Sequence, residues 1–278
     1  MDEIINSIGA KSLVGIPILD GDYLKDGLYY CGKCHTPKRK KIEFQGTTRE
    51  VGVLCSCGQA EYEREQEEIQ KAKREMYIER LQKSGIQDLK LMNCSFSADD
   101  SPDSKHSIYL RRYVDKWNEV SINNIGLLLY GGVGTGKSFY AGCIANEIIK
   151  RYAVPVVVTS IPRILNQLFS TGDKNNYIAN LTNADLLVVD DLGTERDTDY
   201  SMEQVFTVID ERYKANKPLI VTTNLNREQL QKPKDIKLQR VYDRVLEMCT
   251  PIEINGESRR KTNAGIKKNE AKKILFNE

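Results

Sequence analysis

The stretch "LLLYGGVGTGKSFY", residues 127–140, limits the possible folds more than any other part of the chain. An apolar run breaks into glycines and is followed by Lys137 and Ser138. Gly131, Gly132, Val133, Gly134, Thr135, Gly136, Lys137 and Ser138 together satisfy G-x-x-x-x-G-K-[ST], the loop that cradles phosphates between a strand and a helix. Glycines let backbone N–H groups turn inward where side chains would obstruct them. The helix that follows turns its positive end to the same anion. Lys137 is expected to reach the β- and γ-phosphates of ATP and the Ser138 hydroxyl to ligate Mg²⁺. Phe139 follows in the same turn and is counted with the nucleotide-binding residues.

From Ile125 onward strands and helices alternate. "IGLLLY", "VPVVVTS", "DLLVVDD", "PLIVTTN" and "CTPIEI" read as five strands. "KSFYAGCIANEIIKRY", "PRILNQLF", "MEQVFTVIDERYKAN" and "KLQRVYDRVLEM" read as the helices between them. Continuous β-branched runs separated by helices predict an α/β fold, a five-stranded parallel sheet covered on both faces. The third strand ends in Asp190 and Asp191. Asp190 fits the acid that holds the Mg²⁺ shell, and Asp191 the base that orients an attacking water. The fourth strand delivers Asn224 to the same edge, where it either senses the γ-phosphate or caps the next helix.

The first 60 residues hold four of the seven cysteines, Cys31 and Cys34 in one pair and Cys55 and Cys57 in another. The start "MDEIINSIGAKSL" lacks the basic end and apolar core of a secretory signal, so a cytoplasmic location is expected. Thiols stay reduced there, and two tight pairs with polar flanks then read as a zinc-ribbon-like site for Zn²⁺. The second pair is C-x-C, tighter than the usual knuckle; either Gly58 relieves the strain or His35 replaces one thiolate. Apolar residues are scarce in this segment, so metal would supply the missing folding energy. The expected organisation is a zinc-binding, partner-binding module at 1–60, a helical linker at 61–87 rich in Glu, Lys, Arg and Gln, and an ATPase domain at 88–278.

With these elements in order, "YGGVGTGKS", "LLVVDDLGTE", "VTTNL" and "RVYDRVLEMCTPIEINGESRR" resemble the AAA+ ATPases. More narrowly the chain resembles the DnaC/DnaI-type helicase loaders and their transposon relatives, the IstB-like ATP-binding family. The resemblance implies an AAA+ P-loop NTPase that binds a DnaB-type replicative ring helicase through the zinc module and single-stranded DNA through the ATPase domain. It also implies self-association, with Arg244 as an arginine finger for a neighbouring subunit and Arg240 as the alternative; Arg259 or Arg260 would approach the nucleotide. Asp191 stands where many AAA+ proteins carry Glu, which suggests slow, assembly- or DNA-stimulated turnover. In the helix "IPRILNQLF" and just beyond it, Arg163 and Lys174 either touch DNA phosphates or are ordinary surface charge.

No apolar stretch approaches the roughly 18–20 residues needed to span a bilayer, so no membrane partner is expected. The formal net charge of +2 announces no global field toward nucleic acid. The charge is uneven, however: residues 259–278 hold seven Lys/Arg against two Glu, which reads as a solvated tail, with phosphate contact as the alternative. Other functions weighed are a transposition helper ATPase and a nucleotide-gated DNA-binding adaptor with little hydrolysis. An initiator reading duplex DNA would need a C-terminal DNA-binding domain, and about 24 residues after the last strand are too few for one.

Overall fold

The computed structural model describes residues 16–44, 46–193, 198–233 and 235–276. The N-terminal stretch read above for a signal, and Thr194 and Glu195 of the acidic motif, lie outside the described residues. The chain divides into two compact units, Met1–Glu75 and Met76–Glu278. The division falls within a 30-residue helix, α1 (Ser56–Gly85). This helix begins five residues before the expected linker and takes in Cys57 of the second cysteine pair.

The first unit contains two small antiparallel ladders. One pairs β1 (Tyr23–Lys25) with β2 (Leu28–Tyr30), and the other pairs β3 (Arg39–Phe44) with β4 (Thr47–Gly52). Exposed charge along β3 and β4 leaves the second ladder with no buried apolar side chain.

The second unit is built on five parallel strands: β5 (Gly126–Tyr130), β6 (Val156–Ser160), β7 (Leu186–Leu192), β8 (Leu219–Thr223) and β9 (Cys249–Glu253). Their spatial order is β6-β7-β8-β5-β9, with every pair parallel. The predicted sheet is therefore present with its strand count. The chain leaves β5 at the interior of the sheet and next pairs at the far edge, so the loop after β5 opens at a topological switch point, where ligands of open α/β sheets bind.

Period-two alternation in the strands feeds two cores. Leu127, Leu129, Val188 and Ile220 join the helices α3 (Lys105–Asp115), α4 (Trp117–Ile122) and α5 (Lys137–Tyr152), among others. Leu128, Leu187, Val189 and Val221 face α6 (Ile161–Ser170), α7 (Lys174–Asn183), α8 (Asp199–Lys214) and α10 (Ile236–Met248). Two one-turn helices, α2 (Leu89–Met92) and α9 (Arg227–Gln231), complete the connections. Helices α3 and α4 meet at Lys116. The basic segment read as a solvated tail forms a further helix, α11 (Arg259–Phe276).

Buried Arg212 of α8 binds the ends of this layer together. Its guanidinium donates to the carbonyls of Thr182 at 2.7 Å, Ala184 at 2.6 Å and Asp185 at 3.1 Å, and to that of Pro218. Those carbonyls lie at the end of α7 and just before β7 and β8; that of Pro218 also accepts from Leu187 N–H at 3.4 Å, and the guanidinium gives the others a donor.

Candidate functional site

The phosphate-binding loop is shaped by its glycines. Gly134 and Gly136 adopt φ of +84° and +104°, in the left-handed region, and a Cβ at Gly134 would strike the side chain of Ser258. Only a residue without a side chain allows both the turn and this close approach. Lys137 is 5% exposed, and its Nζ donates to the carbonyls of Gly131 at 3.0 Å and Gly132 at 2.7 Å. Burial lowers its pKa below the ordinary lysine value, while Asp191 and Asp190 oppose that shift. Thr135 Oγ1 closes the loop on Gly132 O at 3.0 Å. Val133 is exposed at the tip.

Asp190 lies near the end of β7 and accepts from the Thr222 hydroxyl at 2.5 Å, and the Ser138 hydroxyl is near enough to favour its ionised form. The structure thus brings the loop serine and the strand-end acid together. Burial raises the Asp190 pKa above the usual carboxylate range, against the pull of those two hydroxyls. A cation would offset the same burial cost, and hydroxyl plus carboxylate is an all-oxygen donor set suited to Mg²⁺.

The next residue departs from regular strand geometry. The β7–β8 register slips between Val189 and Leu192, and Asp191 has φ of +59°. Its N–H donates to Thr222 Oγ1 at 2.9 Å. A bulge of this kind re-aims the side chain, so Asp191 no longer follows the alternation of its strand. Thr222 holds both acids, and sequence reading missed it. The signal was a threonine pair in the otherwise apolar run "LIVTT".

Asn224 follows β8 and is exposed. It does not cap α9: that role belongs to Asn226, in a full capping box with Gln229. The alternative reading of Asn224 as a helix cap is therefore removed.

Arg244 on α10 is a half-buried hub, 3.5 Å from Asp210, 3.6 Å from Glu247 and 4.2 Å above the Tyr213 ring. Arg240, one turn earlier, is exposed. Arg163 donates to Gln87 Oε1 at 2.7 Å, and Lys174 to the Tyr200 hydroxyl at 3.2 Å.

Arg259 lies against Gly136, stacks over Phe139 and Tyr140 at 5.3 and 5.6 Å, and pairs with Asp99 and Asp100. The Asp99 side chain is fully buried and also accepts from Ser107 at 2.5 Å and Tyr140 at 2.8 Å. A cavity of about 210 Å³ opens beside Thr135, between this cluster and Glu257. Arg260 is exposed.

In the first unit the four sulfur atoms of Cys31, Cys34, Cys55 and Cys57 lie within 4.8 Å of one another. Cys57 Sγ is 3.5 Å from that of Cys31 and 3.3 Å from that of Cys55. Tetrahedral zinc with Zn–S of about 2.3 Å needs sulfur–sulfur separations near 3.8 Å, so the residues fit. His35 is outside the cluster among the described residues; it takes φ of +56° in the first knuckle, and its ring lies 5.8 Å from that of Tyr23. Gly58 does not relieve the C-x-C spacing by positive φ either. Helix α1 starts at Ser56, so Cys57 sits in its first turn and two residues are enough to converge both thiols.

Thr36 links the two knuckles. Its hydroxyl accepts from Ser56 N–H at 2.8 Å and lies 3.1 Å from Cys34 Sγ. That contact is the first cause drawing the Cys34 thiol down to about 5, while Cys57 is pushed up to about 12, first by Cys55. Such crowding is what a divalent cation resolves.

Residues 61–266 match the family described as IstB-like ATP binding protein. The chain is similar to the replicative helicase loader DnaC of Buchnera aphidicola subsp. Baizongia pistaciae, 27% identical over 223 residues, or 77% of this chain and 86% of that protein. It is also similar to the replicative helicase loader DnaI of Bacillus subtilis, 26% identical over 185 residues, covering 61% of this chain and 59% of that protein. The crystal structure of DnaI superposes with a TM-score of 0.53 at 25% identity, over 62% of this chain and 94% of that one. The structure of the DnaC helicase loader gives 0.51 at 23%, over 60% and 100%, a likeness of fold alone. The five-stranded parallel sheet is thus of the AAA+ type, as the motifs predict.

Proposed function

The chain belongs to the family of IstB-like ATP-binding proteins, and from that premise we propose that it is a Mg²⁺-dependent ATPase that loads a ring helicase in DNA replication. The observation that carries the ATPase reading is the meeting of the phosphate loop with the strand-end acid: Ser138 and Lys137 both lie near enough to Asp190 to favour its ionised form. Gly131–Ser138 and Phe139 would bind the triphosphate, with Lys137 leaving the loop carbonyls for the β- and γ-phosphates. Ser138 and Asp190 would hold the magnesium, which neutralises phosphate charge when bound. Asp191 would orient the attacking water and Asn224 would sense the γ-phosphate.

The arginine that completes a neighbour's site would come from α10. Arg244 would first have to leave Asp210, Glu247 and the Tyr213 ring. Arg240, exposed one turn away, takes that part with the smaller rearrangement. Such a residue makes hydrolysis depend on assembly, so turnover of isolated subunits is slow.

The loader reading draws on the relatives named as helicase loaders and on the four-thiol cluster. We divide the chain into a zinc-binding, helicase-binding module at 1–60, a helical linker at 61–87 and the ATPase domain at 88–278. The ATPase domain would engage single-stranded DNA and further copies of itself. Zinc, when bound, contributes folding energy to the module. No helix among the described residues is long and apolar enough to cross a membrane.

Two measurements on the full chain test this. Lys137→Ala should lower DNA-stimulated phosphate release roughly 100-fold or more, the scale of losing one preorganised charge contact; unchanged release sinks the ATPase reading. Co-elution with a purified DnaB-type ring helicase should require zinc. Capture of a transposase in place of the helicase selects the transposition-helper reading.

A further inference from the structure

Helix α11 (Arg259–Phe276) differs from the other helices in how it handles charge. Several lysines and arginines on the other helices are ion-paired: Lys83 with Glu79, Lys116 with Glu119, Arg151 with Glu147, Lys214 with Asp210 and Glu211. In α11 only Arg259 has an ion-pair partner among the described residues. Arg260, Lys267, Lys268, Lys272 and Lys273 are all exposed, with Glu270 as the helix's one acid.

At about 100° per residue, Arg260, Lys267, Lys268 and Lys272 fall within an arc of roughly 140°, with Glu270 outside it. Ala264 and Ala271 lie inside that arc, and Leu275 of the last turn is the one bulky residue there among the described side chains. Lys268 and Lys272 are four residues apart and repel. No described residue of the helix is fully buried. A helix without a packed face or internal ion pairs gains its stability from what it binds, and this one is complementary to a polyanion.

The root of the helix is fixed on the nucleotide site. Arg259 N–H donates to Gly134 O at 3.0 Å, and Ser258 abuts the same glycine. The Arg259 guanidinium reaches across Gly136 to Asp99 and Asp100 and over the rings of Phe139 and Tyr140. Any displacement of α11 is therefore passed directly to the phosphate loop. At the other end Phe276 is 68% exposed and offers a ring on which a base can stack.

We propose that α11 binds the phosphate backbone of single-stranded DNA along this basic arc, and that its first turn couples DNA occupancy to nucleotide affinity. The proposal rests on the reading of the chain as a DNA-engaging ATPase and names the surface and the mechanical link.

The test uses the full chain, a fluorescein-labelled oligothymidylate of about 20 residues, and fluorescence anisotropy across a salt series. The variant is Lys267→Gln, Lys268→Gln and Lys272→Gln combined, all on exposed positions of the arc. Each phosphate neutralised on a single strand contributes about 0.7 to the slope of log affinity against log salt. Three lost contacts should cut that slope by about 2.1. Between about 50 and 200 mM salt, wild type should then lose roughly 20-fold more affinity than the variant. The oligonucleotide should also shift the affinity of wild type for a labelled ATP analogue at least ~5-fold, and leave the variant unmoved.

Equal slopes in a wild type that does bind DNA overturn this inference while leaving the loader reading intact. A wild type that binds no oligonucleotide overturns the DNA-engaging reading as well. Binding to vesicles of mixed phosphatidylserine and phosphatidylcholine with no binding to oligonucleotide assigns the helix to a lipid surface and overturns the proposal.

Discussion

Among the described residues, the unit Met1–Glu75 contributes only Cys31 and Cys55 to the buried hydrophobic set, whereas Met76–Glu278 contributes all the others, in two clusters on the two faces of one sheet. The small unit instead converges four thiols and buries an ion pair. Lys38 and Asp22, with side chains 6% and 4% exposed, meet at 2.5 Å. Asp22 also accepts the N–H of Gly32, inside the first knuckle, at 3.1 Å. The larger unit buries charge as well, in Arg212, but surrounds it with apolar packing and backbone carbonyls. Below roughly 40 residues a hydrophobic interior rarely suffices and metal substitutes for it. Above about 150 residues the apolar interior supplies most of the driving force for folding. Loss of one ligand should therefore disable one unit and leave the other folded.

Removing metal is the strongest way to break that comparison. A tight zinc chelator should erase hydrogen-exchange protection throughout β1–β4 and leave the nucleotide affinity and thermal transition of the ATPase unit in place. Joint melting of both units would show that their stabilities are not separate. A second, smaller effect belongs to the larger unit. Arg212→Met removes the side-chain donor from four backbone carbonyls, of which that of Pro218 keeps the Leu187 N–H, and at about 1 kcal/mol for each of the other three it should cost on the order of 3 kcal/mol in a denaturant midpoint, with zinc content unchanged. Zinc loss from that variant would contradict the division.

The smallest effect sharpens the picture within the head. The Lys38 ammonium, first among the causes, holds the Asp22 carboxyl down at about 2. A depressed carboxyl contributes stability in full above its ordinary pKa near 4 and loses it as the pH falls through about 2. Asp22→Asn should therefore speed exchange of the Gly32 amide by a similar, severalfold amount at pH 6 and pH 8. A change of that factor across the interval would point to a thiol or histidine instead.

What was legible in the residues follows from range. The phosphate loop and its helix are local, and Lys137–Tyr152 was readable to its ends because the glycines, the lysine and the apolar period all lie within one segment. The strands were readable because β-branched runs covered on both faces leave few alternatives. Helix α7, "KNNYIANLTN", went unread because its asparagines are poor helix formers; burial of Ile178 and Leu181 supports it. The break at Lys116 and the helical state of the basic tail are likewise not written in local pattern. Neither is the Thr222 bridge to the acids, 31 and 32 residues away, nor Asp99 beneath Arg259, 160 residues earlier in the chain. The C-x-C pair was found, but the reason two residues suffice, a helix opening at Ser56, depends on the backbone.

The bulge at Asp191 accounts for the choice of the shorter acid there. A left-handed φ is tolerated far better by aspartate and asparagine than by longer or branched residues, so the usual glutamate would carry a torsional handicap at this corner. Anyone seeking a faster motor by lengthening that acid would need to straighten the strand in the same design, and a lone Asp191→Glu exchange should yield a less stable protein before it yields a quicker one.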